Sequence, residues 1–194
     1  MHATKNFSVP ENAYGDDIEA ILISEEEIKA RVQELADMVS EKYKDEEEPL
    51  LLIGVLKGAV FFMADFARAL SIPCAFEFMA VSSYGNSTTS SGIVRILKDL
   101  DSDISGRNVL VVEDIIDSGL TLSWLLKNLK SRQPKSLEVV TLLRKPEAVA
   151  VELDLLDVGF DIPNEFAIGY GLDYAERYRE LPFVASLKPS VYEK

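Results

Sequence analysis

Two uninterrupted apolar runs, LLLIGVL at residues 50–56 and VLVV at residues 109–112, constrain this chain more than any other feature. A strand with one wet face alternates apolar and polar side chains, because successive residues point to opposite sides of a sheet. A strand with no polar residue on either face must be covered on both, as in a parallel sheet lying between helices. The intervening segments agree. Ser24 followed by Glu27 has the spacing of a capping box, and Ile28, Val32, Leu35 and Val39 then recur at helical spacing, which predicts an amphipathic helix from 24 to about 43. AVFFMADFARAL and TLSWLLKNLKSR read as further helices. CAFEFMAV, GIVRIL and SLEVVTLL read as strands, and FAIGYGLDYAERYRELPFVASL as short strands around a loop. This alternation predicts an α/β fold with a central, mainly parallel twisted sheet flanked by helices. Without internal repeats or a low-complexity linker, residues 1–194 read as one domain.

Charge and cysteine content exclude several classes of function. Thirty-three acids against 20 bases give a formal net charge of −13, which argues against a broad surface for nucleic acid or anionic membrane. Cys74 is the only cysteine, so neither an intrachain disulfide nor a cysteine-based zinc site can form. MHATKNFSVPENAYGDD has no basic region leading into an apolar stretch and does not read as a secretory signal. The most apolar segment, residues 50–70, carries Lys57, Asp65 and Arg68 and is a poor membrane span. The expectation is a soluble cytoplasmic protein with no nucleic-acid or membrane partner.

Ligands of such sheets sit at the carboxyl ends of the strands, which directs attention to three loops: LKG, EDIIDSGLT and LLRKP. Glu113 and Asp114 leave the end of VLVV together, a pair suited to vicinal sugar hydroxyls or to a hard cation such as magnesium. Asp117, Ser118, Gly119, Leu120 and Thr121 then lead into a helix, where backbone N–H groups, two hydroxyls and the helix dipole favour a phosphate. Acids for a sugar beside an N–H nest for phosphate suit a phosphorylated ribose. The plainer alternative is a solvated strand end and a helix cap, but the length of the combined pattern speaks against it. DLDSDISG has the start of a calcium loop in Asp99, Asp101 and Asp103. It lacks glycine at the sixth place and an acid at the twelfth, and reads as a surface turn. No GxGxxG or GxxxxGK[ST] pattern occurs.

VLVVEDIIDSGLT resembles the phosphoribosyl pyrophosphate motif of type I phosphoribosyltransferases, in the form found in the hypoxanthine-guanine enzymes. GVLKGAVFF, SSYGNSTTSSG, LLRKP and VGFDIPNEFAIGYGLDYAERYRELP resemble the same family in the same order, and the last is closer to its bacterial members. The resemblance implies transfer of a phosphoribosyl group to N9 of hypoxanthine or guanine, and of xanthine as a further candidate, with release of pyrophosphate. It also implies a magnesium cofactor, a homodimer or homotetramer, and a small hood built from the N-terminal segment and about 160–187. An alternative on the same fold is a non-catalytic nucleotide-sensing regulator. The acidic charge and the joint presence of Asp117, Lys145, Asp173 and Arg179 favour the enzyme.

The same resemblance implies roles for single residues. Glu113 and Asp114 would hold the ribose hydroxyls, directly or through magnesium and water, and Asp117 would act as general base at purine N7. Ser118 to Thr121 would bind the 5-phosphate. Lys57 and Gly58 would meet the pyrophosphate through their main chain, with Arg179 clamping it and Asp173 holding a metal. Lys145 would donate to the purine 6-oxygen; neighbouring Arg144 competes for that role, and the spacing to the following proline favours Lys145. Phe166 would stack on the base, and the carbonyls of Ala167 and Asp173 would meet its 2-position. Ser83 and Tyr84 would begin a mobile lid over 83–92 that keeps water from an oxocarbenium-like transition state.

Overall fold

The computed structural model describes residues 14, 16–83 and 94–193. In chain order the elements are β1 (Ile18–Ile23), α1 (Glu25–Tyr43), β2 (Leu50–Leu56), α2 (Val60–Ala69), β3 (Cys74–Ser83), β4 (Val94–Lys98) and β5 (Asn108–Ile116). They continue through α3 (Leu120–Ser131), β6 (Ser136–Arg144), β7 (Asp157–Asp161), β8 (Ala167–Ile168), β9 (Val184–Leu187) and α4 (Pro189–Tyr192). Six strands form one sheet in the order β4-β3-β2-β5-β6-β7, parallel throughout except for β4 against β3. The expected mainly parallel α/β sheet is present.

Both apolar runs are covered as their composition requires. Residues 50–53 of β2 and 109–112 of β5 are each at most 2 % exposed. On one face of the sheet Leu50, Leu52, Leu110 and Val112 pack with Val32, Leu35 and Val39 of α1 and with Phe62 and Phe66 of α2. On the other face Leu51, Ile53, Val109 and Val111 pack with Leu122, Leu125 and Leu129 of α3. The α1 start is a capping box: the Glu27 N–H donates to Ser24 Oγ at 3.3 Å, and the Ser24 N–H donates to Glu27 Oε2 at 2.8 Å.

The strand order reverses beside β2. From β2 the chain crosses through α2 to β3 on one side, returns to β5 on the other, and continues outward through α3 to β6. Because α2 and α3 cover opposite faces, the loops after β2 and β5 diverge and open a crevice at the carboxyl edge. A second, antiparallel sheet, β1-β9-β8, carries its own core around Ile168, Tyr178, Phe183 and Leu187. It draws on the N-terminal segment and on chain beyond residue 161, since Phe160 and Asp161 remain in β7 of the large sheet.

Sequence patterning did not single out β1 or β7, and it ended the central strand too early. Backbone pairing of β5 with β6 continues through Glu113↔Thr141 and Ile115↔Leu143 to Ile116↔Arg144. Apart from the Ser83 backbone, which closes β3, the stretch expected to form the lid, Tyr84 included, lies outside the described residues. Asp99 pairs with Arg132 at 2.8 Å and Asp101 with Lys98 at 3.0 Å, while Asp103 accepts from the Ser105 N–H, so that segment is the surface turn expected. No helix among the described residues is long and apolar enough to cross a membrane.

Candidate active site

Four segments converge on the crevice at the switch point. Lys57 and Gly58 follow β2, Asp114 and Ile115 lie near the end of β5, Asp117 follows that strand, and Lys145 follows β6. Phe166, Ala167, Leu172, Asp173 and Arg179 reach it from the second sheet and its loops. Together these residues line a cavity of about 400 Å3.

Gly58 is required by the close packing of this floor. A Cβ built on it would lie 1.5 Å from Asp114 Oδ2, so the backbone after β2 can pass the carboxylate only as glycine. On the neighbouring loop Gly119 takes φ +78° and serves as the N-cap of α3, with no side chain of its own to cap it. The N-terminus of α3 thus keeps backbone donors for an anion, reinforced by the helix dipole. Thr121 lies in its first turn, and Ser118 Oγ accepts from the Leu120 N–H at 3.4 Å.

The cations and carboxylates around the cavity hold one another. Lys145 is 9 % exposed, and its Nζ lies 3.5 Å from Asp117 Oδ2. Arg179 pairs with Asp173 at 2.9 Å and donates from Nη1 to the Gly171 carbonyl at 2.7 Å, while its buried Nε has no hydrogen-bond partner. Lys57 Nζ meets Glu176 Oε2 at 2.9 Å, and this lysine holds the Glu176 carboxyl below its ordinary range. Burial is the main cause pushing the Asp114 carboxyl up, to about 6. Phe166 stacks on Tyr192 with ring centroids 4.9 Å apart and meets Tyr174 edge-on at 5.5 Å.

One expectation changes against this geometry. Glu113 and Asp114 do not leave the strand together: both lie inside β5, where consecutive side chains point to opposite faces. Asp114 faces the cavity, whereas Glu113 is 9 % exposed, absent from the cavity wall, and leaves Oε2 buried without a partner. Burial first, and the Asp114 charge second, drive the Glu113 carboxyl well above its ordinary range. Of the two adjacent bases, the favoured Lys145 lines the cavity and Arg144 does not. Arg144 is spent on a bidentate pair with Asp161 at 2.7 and 3.0 Å, away from the cavity that Lys145 lines.

Sequence reasoning missed Ile115 and Leu172 in the cavity wall and Glu176 beside Lys57. Ile115 sits inside the quoted motif, but no periodicity marks which isoleucine faces inward. Glu176 lies at φ +62° in a tight turn, 174–177, whose central pair, Ala175 and Glu176, carries no glycine or asparagine signal.

A switch-point crevice that sets a glycine-started helix beside carboxylates and the buried Lys145 is suited to a phosphorylated sugar and a leaving anion, as a phosphoribosyl-transferring class requires. The phosphoribosyl transferase domain family matches residues 24–175. The hypoxanthine-guanine phosphoribosyltransferase of Mycobacterium avium is 58% identical over 189 residues, spanning 95% of this chain and 93% of that protein. The one from Bacillus subtilis is 53% identical over 177 residues, 91% of this chain and 97% of that protein. A crystal structure of a hypoxanthine phosphoribosyltransferase from Staphylococcus aureus matches with a TM-score of 0.87 at 42% identity, covering 92% of this chain and 96% of that one. The chain belongs to the phosphoribosyltransferase family, in its hypoxanthine-guanine branch.

Proposed function

We propose that this chain is a purine-salvage enzyme that transfers the 5-phosphoribosyl group of phosphoribosyl pyrophosphate to N9 of hypoxanthine or guanine, giving IMP or GMP and pyrophosphate. The observation that carries this reading is the Lys145–Asp117 pair, an ammonium and a carboxylate 3.5 Å apart on one cavity wall. A 6-oxopurine carries its 6-oxygen and N7 side by side on one edge. Lys145 suits the oxygen as donor and Asp117 suits a proton on N7 as acceptor. Adenine puts an amino donor where the ketone would be, and a buried ammonium N–H left facing it unpaired costs roughly 1–3 kcal/mol or more.

The remaining roles follow from the same pose. Base stacking falls to Phe166, with the Ala167 and Asp173 carbonyls at the 2-position. The 5-phosphate sits on the segment from Ser118 to Thr121, held by the N–H groups and dipole at the start of α3. Asp114 accepts from a ribose hydroxyl, and its charge favours the cation that develops as the C1–O bond breaks. Glu113, on the far face of β5, reaches the ribose only if its side chain turns. The leaving pyrophosphate meets the Lys57 and Gly58 main chain and Arg179, whose Nε holds an unused donor. Asp117 takes or holds the N7 proton, a role that requires it to come within hydrogen-bond reach of that atom.

The donor set also fits a divalent cation. Asp114 and Asp173 offer hard oxygen ligands at the cavity, and no cluster of three ligating side chains occurs among the described residues. That is the pattern expected of Mg2+, which uses one or two carboxylates and takes its other ligands from water and substrate phosphates. The ion would neutralise charge on the pyrophosphate as it leaves. The enzyme is assigned to the cytoplasm and to a homodimer or homotetramer on the family resemblance alone. Neither the cavity nor the relatives favour a non-catalytic sensor. Steady-state rates with hypoxanthine, guanine, xanthine and adenine test the reading: 6-oxopurines should turn over and adenine should not, and equal rates with adenine would refute the pairing at Lys145.

A further inference from the structure

Tyr170 belongs to none of the groups assigned above, yet among the described residues it is one of the few non-glycine residues with a left-handed backbone. It stands at φ +50° between Gly169 at +92° and Gly171 at +102°. The Gly169 N–H donates to the Leu172 carbonyl and the Leu172 N–H returns to Gly169, so Tyr170 and Gly171 form the corner of a tight turn. Positive φ at both corner positions is the geometry that asparagine and glycine favour. A bulky residue there is an outlier and persists only where its surroundings fix it.

The surroundings are specific. Tyr170 is 7 % exposed, and its phenol donates to Asp65 Oδ2 at 2.6 Å, tying the turn to α2 across 105 positions of sequence. Burial and the Asp65 charge push the phenol up, so it stays a donor. Arg68 meets the same carboxylate from the next turn of α2.

What the turn holds lies at one end of the cavity. The Gly171 carbonyl accepts from Arg179 Nη1 at 2.7 Å, and the Gly171 N–H donates to the Arg179 carbonyl at 2.9 Å. A Cβ on Gly171 would lie 2.0 Å from the Gly58 carbonyl, so the turn is seated directly on the backbone that follows β2. Both groups assigned to pyrophosphate therefore rest on this corner, whereas Lys145 and Asp117 are carried by the chain after β6 and β5.

We propose that Tyr170 is a positioning residue for the pyrophosphate end of the reaction: its bond to Asp65 fixes the Tyr170–Gly171 corner, and the corner sets Arg179 and the Gly58 backbone. This rests on the proposed phosphoribosyl transfer. Tyr170→Phe keeps the ring and removes only the bond. With wild-type turnover as the reference, Tyr170→Phe should raise the KM for phosphoribosyl pyrophosphate about tenfold and weaken binding of magnesium pyrophosphate by calorimetry to the same degree. The KM for hypoxanthine should stay within about twofold. Asp65→Ala should reproduce the split, Asp65→Asn, which keeps an acceptor, should restore most of the loss, and Tyr170→Phe with Asp65→Ala should be no worse than either alone. Wild-type values in Tyr170→Phe, or equal rises in both KM values, would overturn the proposal. No turnover by the wild-type protein would instead count against the underlying reaction.

Discussion

At the level of single residues, the account turns on which of two adjacent bases faces the substrate. Arg144 and Lys145 are chemically alike in sequence, and only strand register separates them: Arg144 pairs with Asp161 of β7, and Lys145 turns into the cavity. Lys145→Ala should therefore erode discrimination against adenine and lower kcat/KM for hypoxanthine by about 10-fold or more, since a charged hydrogen bond contributes roughly 1.5–3 kcal/mol. Arg144→Ala should leave both within a few-fold; relative rates on the two bases measure this, and the opposite order would move the role to Arg144. Asp117→Ala should keep binding of phosphoribosyl pyrophosphate yet slow single turnover by about 10²–10⁴, the usual contribution of a positioned base. Rapid-quench rates at saturating substrates check it, and an unchanged rate would remove Asp117 from that role. These residues were legible because each sits in a quoted motif next to a strand end. The orientation of Glu113 was not, because backbone pairing is indifferent to side-chain charge and carried β5 four residues past its apolar run.

Among elements, α1, β2 and β5 could be read before folding because one physical demand governs each: a capped amphipathic face, or burial on both sides. β1 and β7 could not. DVGFD carries two aspartates and a glycine at the outer edge of the large sheet, where only pairing with β6 makes it a strand. The turn at 174–177 was illegible for the same reason, since no turn residue accounts for the positive φ of Ala175 and Glu176. At 169–172 the glycines mark a turn, but nothing marks Tyr170 as its left-handed corner. The element that matters most to the proposed chemistry is α3, whose start depends on Gly119. A side chain there would sit at φ +78° and 2.9 Å from Leu153 Cδ1. Gly119→Ala should cost about 1–2 kcal/mol from the left-handed backbone alone, read as a lower Tm, and should raise the KM for phosphoribosyl pyrophosphate more than that for hypoxanthine. Equal KM changes would count against α3 as the phosphate seat.

For the whole molecule, the switch between β2 and β5 opens a crevice that the second sheet closes along one side. The cost of that design is buried acid. Asp114 titrates near 6 when folded, above the ordinary aspartate value of about 3.9, so between those values the folded chain binds more protons than the unfolded one. The ligand-free, metal-free protein should therefore lose stability from this group as pH rises from about 4 through 6. Asp114→Asn keeps an acceptor for the Ile115 N–H, now held by Asp114 Oδ1 at 2.7 Å. It should gain up to about 3 kcal/mol over wild type at pH 7 and little near pH 4. Denaturant unfolding at the two pH values tests this, and a constant difference would show that ionisation of Asp114 is not the cause.

The central claim is that the crevice joins a 6-oxopurine to a phosphorylated ribose. Incubating the protein with hypoxanthine, phosphoribosyl pyrophosphate and Mg2+, and resolving the products by chromatography, tests it most directly. The account predicts IMP and pyrophosphate in equal amounts; the absence of any nucleotide product with hypoxanthine, guanine or xanthine would contradict it.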